Sequence, residues 1–270
     1  MSIKRVLSIA GSAAQGSAGI QADLKTFQER DVYGMAAITA IVANNSITEK
    51  GVFIHSSQEI EAQYYAAIEH VGVDAIKTGM LFSEEIIELV SDLLRNAPTK
   101  NIVVDPVMIG KMGSQLLKDD AIEVMKEKLF PIATVITPNL HEAARILNQE
   151  SLISIAEMKR AAQELYELGP KYVLIKGGAT LNATDVLYDG KSCLELHADL
   201  VDTIHTSGAG CSYSAAITAE LAKGKSIHES VEIGKKFVTM AIKYSLSFDR
   251  GIGSTYHAAL GKFGGERQKK

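Results

Sequence analysis

The stretch RVLSIAGSAAQGSAGIQADLKTFQERDVYGMAAITAIVA, residues 5–43, decides the fold of this chain. An apolar run at 5–11 is typical of a buried strand, and a second apolar run at 35–43 predicts another strand. The segment between them has the apolar spacing of a helix. The side chains that share its apolar face are Ile20, Leu24 and Phe27. Strand, helix and strand in this order predict a β-α-β unit with parallel strands.

The same alternation continues towards the carboxyl end of the chain. Further strands are predicted at 74–79, 101–107, 134–139 and 172–178, and a hairpin at 185–196 around its Asp-Gly turn. Further helices are predicted at 58–71, 83–96, 119–133, 154–169, 211–224 and 226–247. This order predicts an α/β fold in which a mostly parallel central sheet carries helices on both faces. Because we find no linker or internal repeat, we expect a single domain over residues 1–270, with the last few residues as a flexible tail.

The composition excludes several classes of protein. The chain has 270 residues, a net charge of −4 and two cysteines, which argues against nucleic-acid binding and against a disulfide framework. No apolar run reaches the ~20 residues that span a bilayer, and the amino end lacks the pattern of a signal segment. We therefore expect a cytoplasmic protein that acts on a small molecule and binds neither nucleic acid nor membrane. The oligomeric state stays open, and a homodimer is among the alternatives.

Unusual short motifs follow several of the predicted strands, where ligands bind in open parallel sheets. These motifs are AGSAAQGSAG, KTGM, DPVM, TPNLHE and KGG. Their repeated position at strand ends predicts one ligand site that is assembled from several loops.

The motif HTSGAGC, residues 205–211, places Cys211 directly after a glycine turn at a predicted helix start. Glycines permit a positive φ, and the free N–H groups of a helix start attract an anion. A cysteine there is expected to have a lowered pKa and to serve as a base, a nucleophile or a ligand. The alternative is that Cys211 is a small apolar residue that packs a tight helix start.

Other strand-end residues fit a phosphate and metal site. Lys176, followed by two glycines, can neutralise a phosphate, although a surface lysine before a turn has the same pattern. Asn139 and Glu142 can hold hydrated magnesium, or they can cap the helix that follows them. Asp105 adds a carboxylate to the site or is a turn residue.

Several familiar motifs are missing from the sequence. It contains no Walker A loop, and the spacing of its first glycines does not match the dinucleotide-binding motif. The histidines show no metal-ligand spacing, and no G-x-S-x-G elbow is present. His205 lies six positions before Cys211 in an extended stretch with a turn, so we interpret His205 as structural rather than as the partner of a nucleophilic thiol.

With these motifs in order, the chain resembles the ribokinase-like superfamily. Within it, the chain is similar to the hydroxymethylpyrimidine/phosphomethylpyrimidine kinases and to the related pyridoxal kinases. The resemblance extends from IAGSAAQGSAGIQADLKTF through DAIKTGM, VVDPVM, ITPNLHEA and VLIKGG to GAGCSYSAAITAELAKG. It implies a kinase that requires ATP and Mg²⁺ and acts on a small heteroaromatic alcohol.

The resemblance also implies roles for individual residues. The catalytic residues would be Cys211 as the base, Gly208 and Gly210 as the anion hole, and Lys176 beside the phosphates. The nucleotide would contact Asn139, Lys176, Gly178, Gly208, Lys236, Phe237 and Val238. The ring of the alcohol would contact Gly11, Ala18, Asp23, Asn44, Met80 and Val107. The metal would lie at Asp105 and Glu142.

The chain departs from the pyrimidine kinases at a few positions. They usually have glutamine at the position of Asn44, and Ser207 and Ala209 replace histidine and threonine before Cys211. The G-A-G-C form is closer to the vitamin B6 branch, which often has a second cysteine at the position of Gly110. We expect phosphorylation of 4-amino-5-hydroxymethyl-2-methylpyrimidine and its monophosphate in thiamine biosynthesis. The alternatives are a pyridoxal or pyridoxine kinase, a non-catalytic nucleotide- or vitamin-binding protein, and a thiol hydrolase.

Overall fold

The structure is a computed structural model that describes residues 3–108, 117 and 119–265. Within these ranges, nine strands form one sheet in the order β3-β2-β1-β4-β5-β6-β7-β8-β9. The strands are β1 (Arg5–Ala13), β2 (Tyr33–Val42), β3 (Val52–Ile54), β4 (Ala75–Thr78), β5 (Ile102–Val104), β6 (Val135–Ile136), β7 (Tyr172–Lys176), β8 (Asp185–Tyr188) and β9 (Cys193–Leu196). The strands from β2 to β7 in this order run parallel, whereas β3, β8 and β9 each run antiparallel to the strand beside them.

Helices cover both faces of this sheet, as the sequence predicted. They are α1 (Gly19–Glu29), α2 (Ser57–His70), α3 (Glu84–Arg95), α4 (Asp119–Val124), α5 (Leu140–Ile146), α6 (Ile155–Tyr166), α7 (Ala209–Ala222), α8 (Ile227–Lys243) and α9 (Ala259–Phe263). Helix α4 continues as a π-helical turn over Met125–Leu129 and a 3-10 turn over Phe130–Ile132. The α/β fold with a mostly parallel sheet is confirmed.

The buried strand β1 shows how the two layers arise from the sequence. Val6 packs on one face against Phe27 of α1 and Ala215 of α7. Leu7, the next residue, points to the other face and packs in the core that α2, α3 and α6 cover. Because neighbouring side chains of a strand point to opposite faces, an apolar run such as 5–11 must be covered on both sides.

Two elements were not predicted: the edge strand β3 and the short helix α9. Helix α5 is the helix that the sequence placed after Asn139. Strand β6 has only two residues, so most of its predicted segment is loop. The expected tail lies largely outside the described residues, and the single-domain assignment stays a prediction. Among the helices of the described ranges, none has the length and apolar character that a bilayer span requires.

Candidate active site

A cavity of about 580 Å³ opens where the parallel strands end and α7 begins. Most of the predicted site residues line it. They are Gly11, Ala18, Asn44, Met80, Asp105, Val107, Asn139, Glu142, Lys176, Gly178, Gly208, Gly210, Cys211 and Val238. The sheet therefore brings together loops that are far apart in the sequence, as expected for the carboxyl edge of parallel strands.

The turn before α7 depends on Gly208. Its φ is +82°, and a Cβ there would lie 1.8 Å from the carbonyl oxygen of Ser17. Gly208 is the N-cap of α7 and supplies no side chain to the free N–H groups of the first turn. Only glycine fits this position, and the first turn of α7 lines the cavity, where the positive end of the helix dipole suits an anion.

Cys211 lies in this first turn, and its sulfur accepts a hydrogen bond from the N–H of Gly19 at 3.4 Å. Gly19 is the first residue of α1, so two helix starts meet at the thiol. The expected lowering of its pKa is wrong for this arrangement. Burial raises the pKa of the Cys211 thiol to about 11, and the charges of Asp23 and Asp105 act in the same direction. The positive charge of Lys77 opposes this rise.

Lys176 lies at the end of β7 and forms an ion pair with Asp105, with 2.8 Å between Nζ and Oδ1. Thr137 also donates to Oδ1, and Ser214 donates to Oδ2 at 3.1 Å. Burial opposes ionisation of Asp105, but the charges of Lys176 and Lys77 and the hydrogen bonds from Lys176 and Ser214 together outweigh it and hold the pKa of the carboxyl below its usual value. Both oxygens of Asp105 thus have protein partners, and its role as a metal ligand stays a prediction.

Asn139 and Glu142 form a reciprocal cap at the start of α5, the alternative that the sequence left open. The Asn139 side chain accepts the N–H of Glu142, and the Glu142 carboxylate accepts the N–H of Asn139, both at 2.9 Å. Glu142 is also almost fully buried on the cavity wall. Burial raises its pKa to about 7, although the charge of Lys176 opposes this rise.

The carboxylates fit a magnesium ion that is bound mainly through a substrate. No group of three or more His, Cys, Asp or Glu side chains in the described ranges could hold a metal. Mg²⁺ in phosphoryl-transfer sites needs only one or two carboxylates, because substrate phosphates and waters supply the other oxygens. Asp105 and Glu142 can supply these carboxylates at the place where Lys176 would meet a phosphate.

Three predicted residues do not line the cavity. Asp23 is fully buried beneath it, where its Oδ2 accepts from Ser8 at 2.6 Å and from Lys77 at 3.0 Å. Lys236 is exposed, and Phe237 packs instead in a buried cluster with Leu260. None of these three side chains lines the cavity, and the ring contact of Asp23 and the nucleotide contacts of Lys236 and Phe237 stay predictions.

Helical periodicity explains why Lys236 and Phe237 do not line the cavity. The residues of this helix that face the cavity are Lys235, Val238, Thr239 and Ile242. Lys235 was missed by one position, and its Nζ lies 2.6 Å from Oδ2 of Asp185. Lys77 was also missed, although a lysine inside the apolar strand of the KTGM motif was a visible signal.

One end of the cavity suits a flat apolar ring. Met80 packs there with Ala40 and Val107, and a Cβ on Gly11 would lie 2.4 Å from the terminal methyl of Met80. The exposed Asn44 adds a side-chain amide at the rim, close to the backbone of the β2–β3 hairpin. This end therefore combines apolar walls with one amide that can donate and accept hydrogen bonds.

His205 is structural, as expected. Its Nδ1 accepts the backbone N–H of Gly253 at 2.9 Å and so links the loop before α7 to the segment after α8. The histidine does not line the cavity that contains Cys211.

Comparisons with known proteins agree with this geometry. The family model described as phosphomethylpyrimidine kinase matches residues 14–256. The pyridoxine kinase of Bacillus subtilis is 46% identical over 96% of this chain and 98% of its own length. The hydroxymethylpyrimidine/phosphomethylpyrimidine kinase of the same organism is 41% identical over 96% of this chain and 97% of its own length. A crystal structure of Bacillus subtilis pyridoxal kinase with ADP has a TM-score of 0.91 and 44% identity, and the match covers 97% of this chain and all of that one.

Proposed function

Because the chain belongs to the phosphomethylpyrimidine kinase family and is an ATP-dependent phosphotransferase of ribokinase-like fold, we propose that it phosphorylates a hydroxymethyl group on a nitrogen-containing aromatic ring. The preferred substrate in this proposal is 4-amino-5-hydroxymethyl-2-methylpyrimidine, followed by its monophosphate. One observation carries the proposal: a single cavity joins the turn at Gly208 and Cys211 to the apolar end at Met80 and Asn44.

The turn before α7 provides the charge stabilisation that the transfer requires. In phosphoryl transfer, the protein mainly positions the reacting groups and offsets the charge on the phosphoryl oxygens. The N–H groups behind Gly208 and the dipole of α7 favour negative charge at this point. Lys176 leaves Asp105 and pairs with the phosphates of the nucleotide, at the place where Gly210 leaves its Nζ uncovered.

Cys211 acts as the proton acceptor in this proposal. The thiolate takes the proton of the substrate hydroxyl while the hydroxyl oxygen forms its bond to the γ-phosphorus. The bond between the γ-phosphorus and the bridging oxygen breaks, and its electron pair leaves with ADP. With its raised pKa, the half-buried thiol is protonated at neutral pH, so it must first release its own proton to solvent under the influence of a nearby positive charge.

The nucleotide occupies the end of the cavity near β7 and α8. Gly178 has a φ of +55° and no atom within 4 Å of the position of a Cβ, which leaves room for a phosphate or ribose. Asn139 and Val238 line the same end. Asp105 and Glu142 would hold Mg²⁺, which neutralises phosphate charge when bound.

The ring occupies the other end of the cavity, between Gly11, Ala18, Met80 and Val107. An aminopyrimidine presents an amino donor beside a ring-nitrogen acceptor, and an amide can pair with both. Asn44 supplies such an amide, one methylene shorter than the glutamine of the pyrimidine kinases. Because Asn44 is exposed at the rim, an amide group that does not reach the ring can bond to water instead, so the shorter side chain weakens this pairing without abolishing it.

The vitamin B6 alcohols are a second candidate, favoured by the 46% identity to a pyridoxine kinase. The G-A-G-C form of the turn points in the same direction. Gly110, where that branch often has a cysteine, lies outside the described residues. Membership in a kinase family removes the reason for a non-catalytic binding protein or a thiol hydrolase.

Steady-state kinetics with ATP and Mg²⁺ distinguish the two candidates. We expect kcat/KM to be higher for the hydroxymethylpyrimidine than for pyridoxal, and Asn44→Gln to increase the difference because the longer amide reaches the ring. Asn96→Gln is the control, since Asn96 ends α3 and does not line the cavity. A strong preference of the parent protein for pyridoxal, or loss of pyrimidine turnover in Asn44→Gln, would favour the vitamin B6 candidate instead.

A further inference from the structure

Lys77 of β4 has no role in the transfer described above, yet it lies at the centre of the site. Its side chain is fully buried and contributes to the wall of the cavity. Lysine is almost never fully buried unless it is paired. Its partner is the equally buried Asp23, with 3.0 Å between Nζ and Oδ2.

This ion pair is incompletely satisfied on both sides. Oδ1 of Asp23 is buried and accepts no hydrogen bond within the described ranges. An ammonium group has three donors, and Asp23 uses one of those on Lys77. Gly79 leaves the ammonium uncovered, because a Cβ at that position would lie 3.2 Å from Nζ. Since a buried ion pair often contributes little net stability, these features suggest that the positive charge of Lys77 has another role.

Four charged side chains act on Cys211, and they come from different elements. Lys77 of β4 favours the thiolate, and Asp23 of α1 and Asp105 after β5 disfavour it. Lys176 of β7 interacts with the same thiol, but it is paired with Asp105. When nucleotide phosphates engage Lys176, Lys77 is the remaining cation of this group, because it stays paired with Asp23.

We propose that Lys77 is a positioning residue for the phosphoryl transfer: its buried ammonium, anchored by Asp23, supplies the positive charge that allows Cys211 to accept the proton of the substrate. This inference rests on the proposed function, because it assigns the group that supports the base. Lys77 acts through Cys211 and touches neither the nucleotide nor the ring.

The protonation of Cys211 can be measured without any turnover. In a Cys193→Ser background, Cys211 is the only thiol of the chain. The pH dependence of its alkylation by iodoacetamide, followed by mass spectrometry on the protein without nucleotide, then gives its pKa. We expect Lys77→Met to lower the alkylation rate at pH 9 by about tenfold or more, which corresponds to a pKa rise of about one unit. Asp23→Asn should raise the alkylation rate, because it removes a negative charge that disfavours the thiolate.

Lys235→Met is the matched control, because Lys235 is another buried lysine of the cavity wall that is paired with a carboxylate. It is expected to leave the alkylation profile of Cys211 unchanged. If Lys77→Met does not fold, the double variant Lys77→Met/Asp23→Asn removes both charges of the pair. It should then react more slowly than Asp23→Asn alone.

The outcomes separate this inference from the proposed function. Alkylation profiles that are the same with and without Lys77 would overturn the role of Lys77, whatever the activity. A parent kcat in Cys211→Ala would overturn the proposed base, even if the alkylation profile moves. If both hold, kcat of Lys77→Met should fall at neutral pH and recover as the pH rises.

Discussion

The glycine that begins α7 offers a test of the anion-binding turn in which fold and function can be measured together. Gly208→Ala places a Cβ 1.8 Å from the carbonyl oxygen of Ser17, and this backbone atom cannot move aside as a side chain could. Gly224, just after the other end of α7, has nearly the same φ of +84° and no atom within 4 Å of its Cβ position. An alanine at either position would therefore be strained in the backbone, but only the alanine at position 208 would also clash with another residue.

The size of the effect follows from this difference. An alanine in the left-handed region costs about 1–2 kcal/mol at either position. The contact with Ser17 adds the cost of overpacking, about 1–3 kcal/mol, at Gly208 alone. Gly208→Ala should therefore lower the free energy of unfolding by about 2–5 kcal/mol, and Gly224→Ala by about 1–2 kcal/mol. Displacement of one anion-hole donor should reduce kcat by about 100-fold or more in Gly208→Ala only.

Urea denaturation gives the two free energies of unfolding, and a coupled ADP-release assay gives kcat for both variants. Equal losses of stability would mean that the turn can move away from Ser17. A Gly208→Ala protein that folds and keeps the parent kcat would refute the reasoning that this turn holds the transferring phosphoryl group.

Two further predictions concern charged residues of the cavity. Lys176→Ala should lose most of its turnover and its affinity for ATP while it still binds the alcohol, because Lys176 acts on phosphate; isothermal titration with each substrate checks this, and parent-like turnover would contradict it. Glu142→Gln should become more stable relative to the parent as the pH rises from 4.5 to 8, because burial raises the pKa of Glu142 to about 7. The folded parent holds the proton of Glu142 more tightly than the unfolded chain does. The stability that the protonated carboxyl gives the parent is therefore complete below pH ~4.5 and is lost as the pH passes through about 7. At ~1.4 kcal/mol per pKa unit between 4.5 and about 7, the difference is at most about 3.5 kcal/mol. Urea denaturation of both proteins at pH 5 and pH 8 measures it, and a difference between variant and parent that is the same at both pH values would contradict it.

Local pattern was enough to predict most of the fold. The apolar run of β1 and the helical spacing of α1 can be recognised from neighbouring residues alone. Once the strands are known to be parallel, the loops at their carboxyl ends are expected to meet in one site. Strand β3 has three residues at the edge of the sheet and helix α9 has five residues. Segments this short carry little periodic signal.

The charges of the site could not be predicted in the same way. The sequence does not reveal that Asp23 pairs with Lys77, since the two are 54 positions apart and meet only when β4 lies beside β1 and under α1. The lowered pKa expected for Cys211 rested on the helix dipole alone. Burial, which depends on the whole fold, raises the pKa of the thiol and is the largest cause of its shift.

The kcat of Cys211→Ala with ATP, Mg²⁺ and the hydroxymethylpyrimidine tests the central claim most directly. If Cys211 is the proton acceptor, kcat should fall by about 100-fold or more while the alcohol still binds, and Cys193→Ala should retain the parent rate. An alanine variant that keeps the parent kcat would show that Cys211 only packs the start of α7.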